Sequence, residues 1–80
     1  MKVITETKFN VGDSVYIADH YYDWYAYRKP YIITDIQINI SSRITHISYE
    51  VEQDGAKSHT PEGLAFATYE ECAKWCKENN

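Results

Sequence analysis

The first alternation of apolar and polar residues follows a turn at Gly12 and Asp13. Val15 and Ile17 fall on one side of an extended chain, whereas Tyr16 falls on the other. A period of two residues is typical of a half-buried strand. The pattern therefore predicts a first strand directly after the turn.

A longer alternation covers residues 31–40. Ile36, Ile38 and Ile40 alternate there with polar residues. One face of this strand is therefore predicted to be buried and the other to be wet, as in an antiparallel sheet. The turn after it is predicted to begin at Ser41.

The next strand carries a break in its period. Its inward positions are Ile44, Ile47, Tyr49 and Val51. The step of three residues from Ile44 to Ile47 does not fit an alternation of two. It predicts a β-bulge near Thr45 and His46.

A hairpin is predicted at Asp54 and Gly55, because glycine accepts the positive φ that a type I′ turn requires. Residues 56–60 would form the weaker return strand, which Pro61 ends. The short apolar segment 64–66 is placed to return to the core.

A short helix is predicted at residues 68–78. Thr68 would be its N-cap, since the threonine hydroxyl can accept a hydrogen bond from the amide of Glu71. Cys72 and Cys76 share one face at helical spacing, where an intrahelical disulfide is poorly placed. Free cysteine is among the most buried residue types, so both are predicted to be buried free thiols.

These elements predict a mainly β fold, an antiparallel barrel of about five strands with one short C-terminal α-helix. A sheet this small must curl and partly close, because an open flat sheet would expose its inner face and its edges. Eighty residues suffice for one core. Residues 1–80 are therefore interpreted as a single domain, with residues 1–8 as a flexible N-terminal segment.

Residues 19–29 carry five aromatic side chains without a clean period, and Pro30 follows them. Proline removes a ladder donor and keeps the preceding residue extended, so the segment is predicted to be a long loop. Rigid aromatic rings commonly anchor interfaces. The alternative is that the loop folds back and caps its own sheet. The predicted partner-binding residues are Tyr21, Tyr22, Trp24, Tyr25, Tyr27 and Arg28.

Charge and composition limit the classes of partner. The formal net charge is −4, with 8 basic and 12 acidic residues, and no basic stripe indicates phosphate contacts, so nucleic acid is a disfavoured partner. No apolar run approaches the roughly 18 residues of a membrane span, so we expect no membrane contact and a cytoplasmic location. Glu50, Glu52 and Asp54 alternate on the wet side of a strand, as an acidic stripe that a basic partner could recognise.

No arrangement of residues predicts catalysis. His20 lies beside Asp19 as a candidate oriented base. The two cysteines are candidate nucleophiles, but they fall on the inner face of the predicted helix. Neither a phosphate-binding loop nor the paired Cys or His spacing of a zinc site occurs. We therefore expect that the chain is not an enzyme, and that it uses no cofactor and no metal.

Two phrases carry a resemblance to known proteins. Residues 9–16 read Phe-Asn-Val-Gly-Asp-Ser-Val-Tyr, and residues 64–71 read Leu-Ala-Phe-Ala-Thr-Tyr-Glu-Glu. With them the chain resembles the SH3-like barrel group, and in particular small uncharacterised proteins of Firmicutes genomes and their phages. The resemblance covers most of the chain. It implies an SH3-like barrel and a phage or mobile-element setting, and it specifies fold far better than function.

The leading hypothesis is a non-catalytic accessory module that binds a protein through the aromatic loop and the adjoining strand edge. One alternative is an inhibitor of a host defence or nucleic-acid enzyme that presents acidic residues where the enzyme expects phosphates. Another is a single-stranded nucleic-acid binder that stacks bases on the loop tyrosines. An exposed strand edge also leaves a weak homodimer open.

Overall fold

Strands dominate the chain, as the alternating patterns predict. The structure is a computed structural model that describes residues 7–80. The elements follow in the order β1 (Ser14–Tyr21), β2 (Asp23–Ala26), β3 (Tyr31–Ile40), β4 (Thr45–Gln53), β5 (Ala56–Pro61), a 3-10 turn (Glu62–Leu64), β6 (Ala65–Phe66) and α1 (Tyr69–Glu78).

All strand pairs are antiparallel, in the order β2-β1-β3-β4-β5, and β6 pairs with β1. The prediction of a mainly β fold with one C-terminal helix is confirmed. Within residues 7–80 no pairing joins β5 back to the start of the path, so the sheet is not closed. The pairing of β1 with β6 brings the first and the last strand together.

The β-bulge lies in β3, so its predicted position near Thr45 and His46 is wrong. Pairing between β3 and β4 is regular at that end, and the register shifts between Ile33 and Asp35 instead. Thr34 is the extra residue, and its hydroxyl donates to the main-chain oxygen of β4 residue Glu50 at 3.2 Å.

The bulge has a consequence for the core, because it changes which side chains face inward. Ile33 faces the inside before the bulge, and Ile36 faces it afterwards, where it packs against the core. Their partners on β4 are Val51 and Tyr49, and both are buried. A strict alternation without the bulge would have turned one of the two isoleucines outward.

The far end of β3 is more exposed than its alternation predicts. Ile38 is 42% exposed and Ile40 62% exposed, so the predicted burial of these two residues is wrong. The hairpin of β3 and β4 extends beyond the strands that cover its inner face. Ile44, which precedes β4 in the turn, is exposed as well. We call Ile38, Ile40 and Ile44 the isoleucine arm.

The hairpin between β4 and β5 is confirmed. Asp54 has a φ of 53° and Gly55 a φ of 82°, which is the pair of positive values of a type I′ turn. Residues 56–60 pair with β4 as the predicted return strand does, and the strand ends at Pro61.

Two apolar clusters lie on opposite sides of β1. The inner cluster contains Val15 and Ile17 from β1 together with buried residues of β3, β4 and β6. The outer cluster joins Ala18 of β1 to Cys72 and Cys76 of the helix. Both cysteines are free and buried, which confirms that prediction.

The helix begins where its capping signal predicts. Thr68 is the N-cap, and its hydroxyl accepts a hydrogen bond from the amide of Glu71 at 3.2 Å. This satisfies one of the amides that a helix start leaves without a partner. No helix in the part of the chain that the structure describes is long and apolar enough to cross a membrane.

The predicted flexible segment 1–8 lies mostly outside the described residues. At its end, the amide of Lys8 donates to the carboxylate of Glu62 at 3.0 Å. The Tyr49 hydroxyl donates to the same carboxylate at 2.6 Å. Glu62 thus joins the chain before β1 to the middle of β4.

Candidate functional site

The aromatic segment 19–29 contains a β-hairpin, so its prediction as a long loop is wrong. β1 continues to Tyr21, and β2 returns beside it with Asp23 opposite Tyr21. Tyr22 alone connects the two strands, with a φ of 67°. The turn therefore forms without the glycine or asparagine that would have announced it in the sequence.

The two residues at the turn are the most exposed aromatic residues of the hairpin. Tyr21 is 72% exposed and Tyr22 is 86% exposed. Their ring centroids lie 4.7 Å apart with planes at 71°, an edge-to-face pair. We call Tyr21 and Tyr22 the hairpin tip. The tip therefore presents two adjoining, exposed aromatic side chains.

Trp24 has a different role from the tip, because it ties the hairpin to the helix. Its ring meets the ring of Trp75 edge to face, with the centroids 4.8 Å apart, and lies 4.9 Å from the ring of His20. Its backbone amide donates to the side-chain oxygen of Asn80 at 2.6 Å, and the Asn80 amide group donates back to its carbonyl at 3.0 Å. Trp24 therefore holds the hairpin in place.

The remaining hairpin tyrosines converge on Asp19. The Tyr27 hydroxyl donates to Oδ2 of Asp19 at 3.0 Å, and the Tyr25 hydroxyl lies 3.1 Å from the Tyr27 hydroxyl. The ring of Tyr27 packs edge to face between those of Tyr25 and Tyr31, with centroid distances of 5.2 and 5.9 Å. We call Asp19, Tyr25, Tyr27 and Tyr31 the tyrosine cluster.

The cluster changes the acidity of two of its phenols. The pKa of Tyr27 lies well above its ordinary value, first because of its hydrogen bond with Tyr25 and then because of burial and the neighbouring Asp19 carboxylate. Burial raises the pKa of Tyr31, and the charge of Asp19 adds to this effect. Both phenols are therefore neutral at ordinary pH, next to a negative charge.

Arg28 lies apart from the hairpin rings. Its guanidinium stands over the ring of Tyr69 on the helix, 5.5 Å from the ring centroid. The neighbouring Lys29 forms an ion pair with Asp54 in the β4–β5 turn. The two basic residues of the segment therefore contact their own chain, and the structure does not bring Arg28 together with the tip.

A cleft of about 210 Å³ opens beside the tyrosine cluster, between β1 and β5. Asp19 and Tyr27 line one side of it, and Tyr31 contributes as well. Ser58 and Thr60 belong to the opposite wall. β1 and β5 do not pair here, so the cleft lies where the sheet is left open.

Sequence reasoning missed Asp19 and Tyr31 as parts of a site. One signal existed: Asp19 follows Val15 and Ile17 at the period of two, on the face that carries the core. Asp19 is exposed at this position, and the hydroxyls of Tyr25 and Tyr27 donate to its carboxylate.

The acidic stripe on β4 is partly balanced by the next strand. The Glu50 carboxylate lies 3.5 Å from the Lys57 ammonium and 3.8 Å from the His59 ring. The Thr34 hydroxyl also donates to the Glu50 carboxylate at 2.8 Å. These contacts lower the pKa of Glu50, the hydrogen bond from Thr34 most of all.

The candidate oriented base was His20. Its backbone amide donates to Asp19, and its ring packs on Trp24.

Among residues 7–80, no group of three or more His, Cys, Asp or Glu side chains is arranged to hold a metal ion.

Comparison of the chain with protein-family models, with curated proteins and with solved structures finds no match.

Proposed function

We propose that the chain is a non-catalytic protein-binding module whose contact surface is centred on the hairpin tip. The observation that carries this function is the conformation of Tyr22. It occupies the left-handed region with a φ of 67° while 86% of its surface is exposed. This region costs an L-residue with a side chain roughly 1–2 kcal/mol, and a ring this exposed recovers little of that within its own chain.

Strained residues of this kind cluster at binding sites, where a partner supplies the missing contacts. Tyrosine is also enriched among the residues that dominate binding energy, because a rigid amphipathic ring buries a large area at a small entropic cost. The tip presents two such rings side by side. Trp24 supports the tip because it attaches the hairpin to the helix. Tyr25 and Tyr27 support it through their contacts around Asp19.

A protein partner fits the electrostatics of the tip better than a nucleic acid does. The residues next to the tip include Asp19, His20 and Asp23, and the chain has a net charge of −4. Binders of single strands combine stacking rings with a positively charged groove. The basic residues at the end of the segment, Arg28 and Lys29, contact Tyr69 and Asp54 instead.

The absence of catalysis in this proposal is supported by the state of the thiols. Cys72 and Cys76 are buried in the outer cluster, and burial raises the pKa of both, to about 12 for Cys72. A nucleophilic cysteine requires an accessible thiolate with a lowered pKa.

We further propose that the sheet belongs to the SH3-like group and that the module acts in the cytoplasm of a bacterium, in a phage or mobile-element setting. The pairing of β1 with β6 supports the SH3-like fold, because a partly closed barrel needs contact between its first and last strands.

The alternative of an inhibitor that acts through an acidic stripe gains no support, because Lys57 and His59 lie beside the Glu50 carboxylate. Within residues 7–80, β5 is the last strand of the sheet path, and its outer edge is the candidate surface for a weak homodimer.

The test is a capture experiment from a lysate of the organism that carries the gene. The bait is the tagged wild-type chain, and the test variant is Tyr21→Ser/Tyr22→Asn. A matched control, Ile38→Ser/Ile40→Ser, removes exposed apolar side chains from the isoleucine arm instead. We expect a protein that wild type and control retain and that the tip variant loses.

The comparison requires all three chains to be folded at the temperature of the capture, which the free energy of unfolding of each chain verifies. Retention of the same protein by the tip variant would refute the tip as the contact site. Binding of single-stranded DNA that weakens steeply with salt would favour the nucleic-acid alternative.

A further inference from the structure

The cleft between β1 and β5 combines a carboxylate and aromatic rings in its lining with a small volume of about 210 Å³. Pockets for drug-sized ligands typically measure about 300–1,000 Å³. The cleft therefore suits a single side chain or a small ion better than a nucleotide or an organic cofactor.

The cleft contains the negative charge of Asp19, and no basic side chain of residues 7–80 forms an ion pair with it. Four ion pairs occur among residues 7–80, and none of them includes Asp19. The influence of its carboxylate reaches the rings of Tyr27 and Tyr31, because the pKa of both phenols is raised in part by the Asp19 charge. A field that opposes a phenolate favours a cation at the same place.

Asp19 can still accept a further hydrogen bond. Oδ1 of Asp19 already accepts the backbone amide of His20 at 2.8 Å. Oδ2 accepts the Tyr27 hydroxyl at 3.0 Å and the Tyr25 hydroxyl at 3.5 Å. A carboxylate has about four acceptor sites, so about one is left, on Oδ1. The facing wall contains Ser58 and Thr60, whose hydroxyl oxygens can accept, and His59, whose ring lies 3.8 Å from the Glu50 carboxylate.

From these observations we infer that the cleft is a binding site for an alkylammonium group, held by the Asp19 carboxylate and the rings of Tyr27 and Tyr31. Tyrosine rings attract cations through their π faces. A compact ammonium can donate to single lone pairs of different oxygens. A guanidinium is less suitable, because its planar fork prefers a carboxylate with both oxygens free, and both oxygens of Asp19 already accept a bond.

An alkylammonium group can come from a lysine side chain of a partner protein or from a free amine. Both present the same chemistry to the cleft, and they differ only in the group at the far end of the alkyl chain. This site is separate from the hairpin tip and does not depend on a contact there.

The test is an NMR titration of the wild-type chain, followed by the backbone amide signals of Asp19, Tyr27 and Thr60. The probes are Nα-acetyl-lysine methylamide, butylammonium, methylguanidinium and the Nε-acetylated form of the lysine probe. Ligands of this size bind in roughly the millimolar range. We expect saturable shifts with the two ammonium probes and none with the Nε-acetylated probe, which has lost the charge.

The variant is Asp19→Asn, and the matched control is Asp35→Asn. Asp35 also accepts the backbone amide of the following residue, at 2.9 Å, but it does not line the cleft. Both substitutions remove one negative charge and leave an oxygen for the local bond. We expect Asp19→Asn to weaken ammonium binding about tenfold, a change of about 1.4 kcal/mol, and Asp35→Asn to change it less than twofold.

Several results would overturn the site. They are saturable shifts of equal size with the Nε-acetylated probe, tighter binding of methylguanidinium than of butylammonium, equal weakening by both variants, or no saturable shift with any ammonium. If the lysine probe binds at least as tightly as butylammonium, the site accepts a partner's lysine. A preference for butylammonium assigns it to a free amine, and either order supports the ammonium site.

Discussion

Tyr22 occupies a backbone region that is unfavourable for a tyrosine, and its side chain buries little surface in return. Asparagine enters the left-handed region more readily than other residues with side chains. We expect Tyr22→Asn to raise the free energy of unfolding by about 0.5–1 kcal/mol, because relief of the strain exceeds the loss of an exposed ring contact. Urea denaturation measures the change.

Tyr21→Asn is the matched control for that prediction. Tyr21 is the last residue of β1, where φ is not positive and no strain is available for relief. This variant should lose a little stability, because asparagine is a poorer strand residue than tyrosine. A loss of 1 kcal/mol or so in Tyr22→Asn as well would show that the tip serves the fold.

The hydroxyl of Tyr49 makes stability depend on pH in the alkaline range. Burial raises the pKa of Tyr49 to about 12, and its hydrogen bond to Glu62 adds to this. An unfolded tyrosine has a pKa of about 10. Between these values the unfolded chain loses the proton and the folded chain keeps it, so the unfolding free energy falls as pH rises, by at most about 1.4 kcal/mol per unit.

The variant Tyr49→Phe tests this at two pH values. At about pH 8 it should cost about 1–2 kcal/mol, because the amide of Phe9 and the Glu62 carboxylate lose their partner. At about pH 11 the cost should be clearly smaller, since the advantage of the wild-type hydroxyl is being lost there. An equal cost at both values would contradict the raised pKa.

The elements show which local signals sufficed. Asp54 and Gly55 predict the β4–β5 turn, and Thr68 predicts the start of the helix. Both signals act within a few residues, and both predictions are confirmed. The position of the bulge was predicted wrongly because Ile33 and Ile36 are three residues apart, which does not fit an alternation of two. Only the pairing with β4 shows that both side chains face inward.

The β1–β2 hairpin could not be predicted by the same rules. Its turn has Tyr22 where a glycine or asparagine is expected, and Asp19 interrupts the apolar face of β1. The pairing of Asp19 with Tyr25 across the strands is a contact that periodicity does not report. The aromatic residues were therefore recognised in the sequence, but their division into the tip and the tyrosine cluster was not.

Glycine substitutions separate backbone strain from packing at the element scale. Gly55 has a φ of 82° and no atom within 4 Å of an added Cβ, so Gly55→Ala introduces strain alone. We expect a loss of about 1–2 kcal/mol in the free energy of unfolding. Gly63→Ala also meets no atom within 4 Å and lies at an ordinary φ, so it should be neutral or slightly stabilising. Equal effects in chemical denaturation would contradict the type I′ turn.

At the scale of the whole molecule, β1 carries an apolar cluster on each face. The inner cluster forms within the curled sheet, and the outer cluster attaches the helix through Cys72 and Cys76. The same attachment supports the hairpin, since Trp24 packs on Trp75 and is bound by Asn80. Release of the helix should therefore also release the hairpin.

The two buried thiols report on this release. At neutral pH a thiol reagent should modify the native chain at least about a hundredfold more slowly than the denatured chain, because the sulfurs become accessible only when the helix leaves the sheet. The rate should rise with low concentrations of denaturant. Rapid modification of the native chain would contradict the packing of the outer cluster.

The most direct test of the hairpin tip as a contact surface is site-specific photo-crosslinking in the organism that carries the gene. A benzophenone amino acid replaces Tyr22 in one chain and Ile40, on the isoleucine arm, in another. Both positions are exposed, and the crosslinker retains an aromatic ring. We expect a discrete crosslinked protein from position 22 and none from position 40. A discrete product from position 40 alone, or none from either position, would contradict the proposed binding surface.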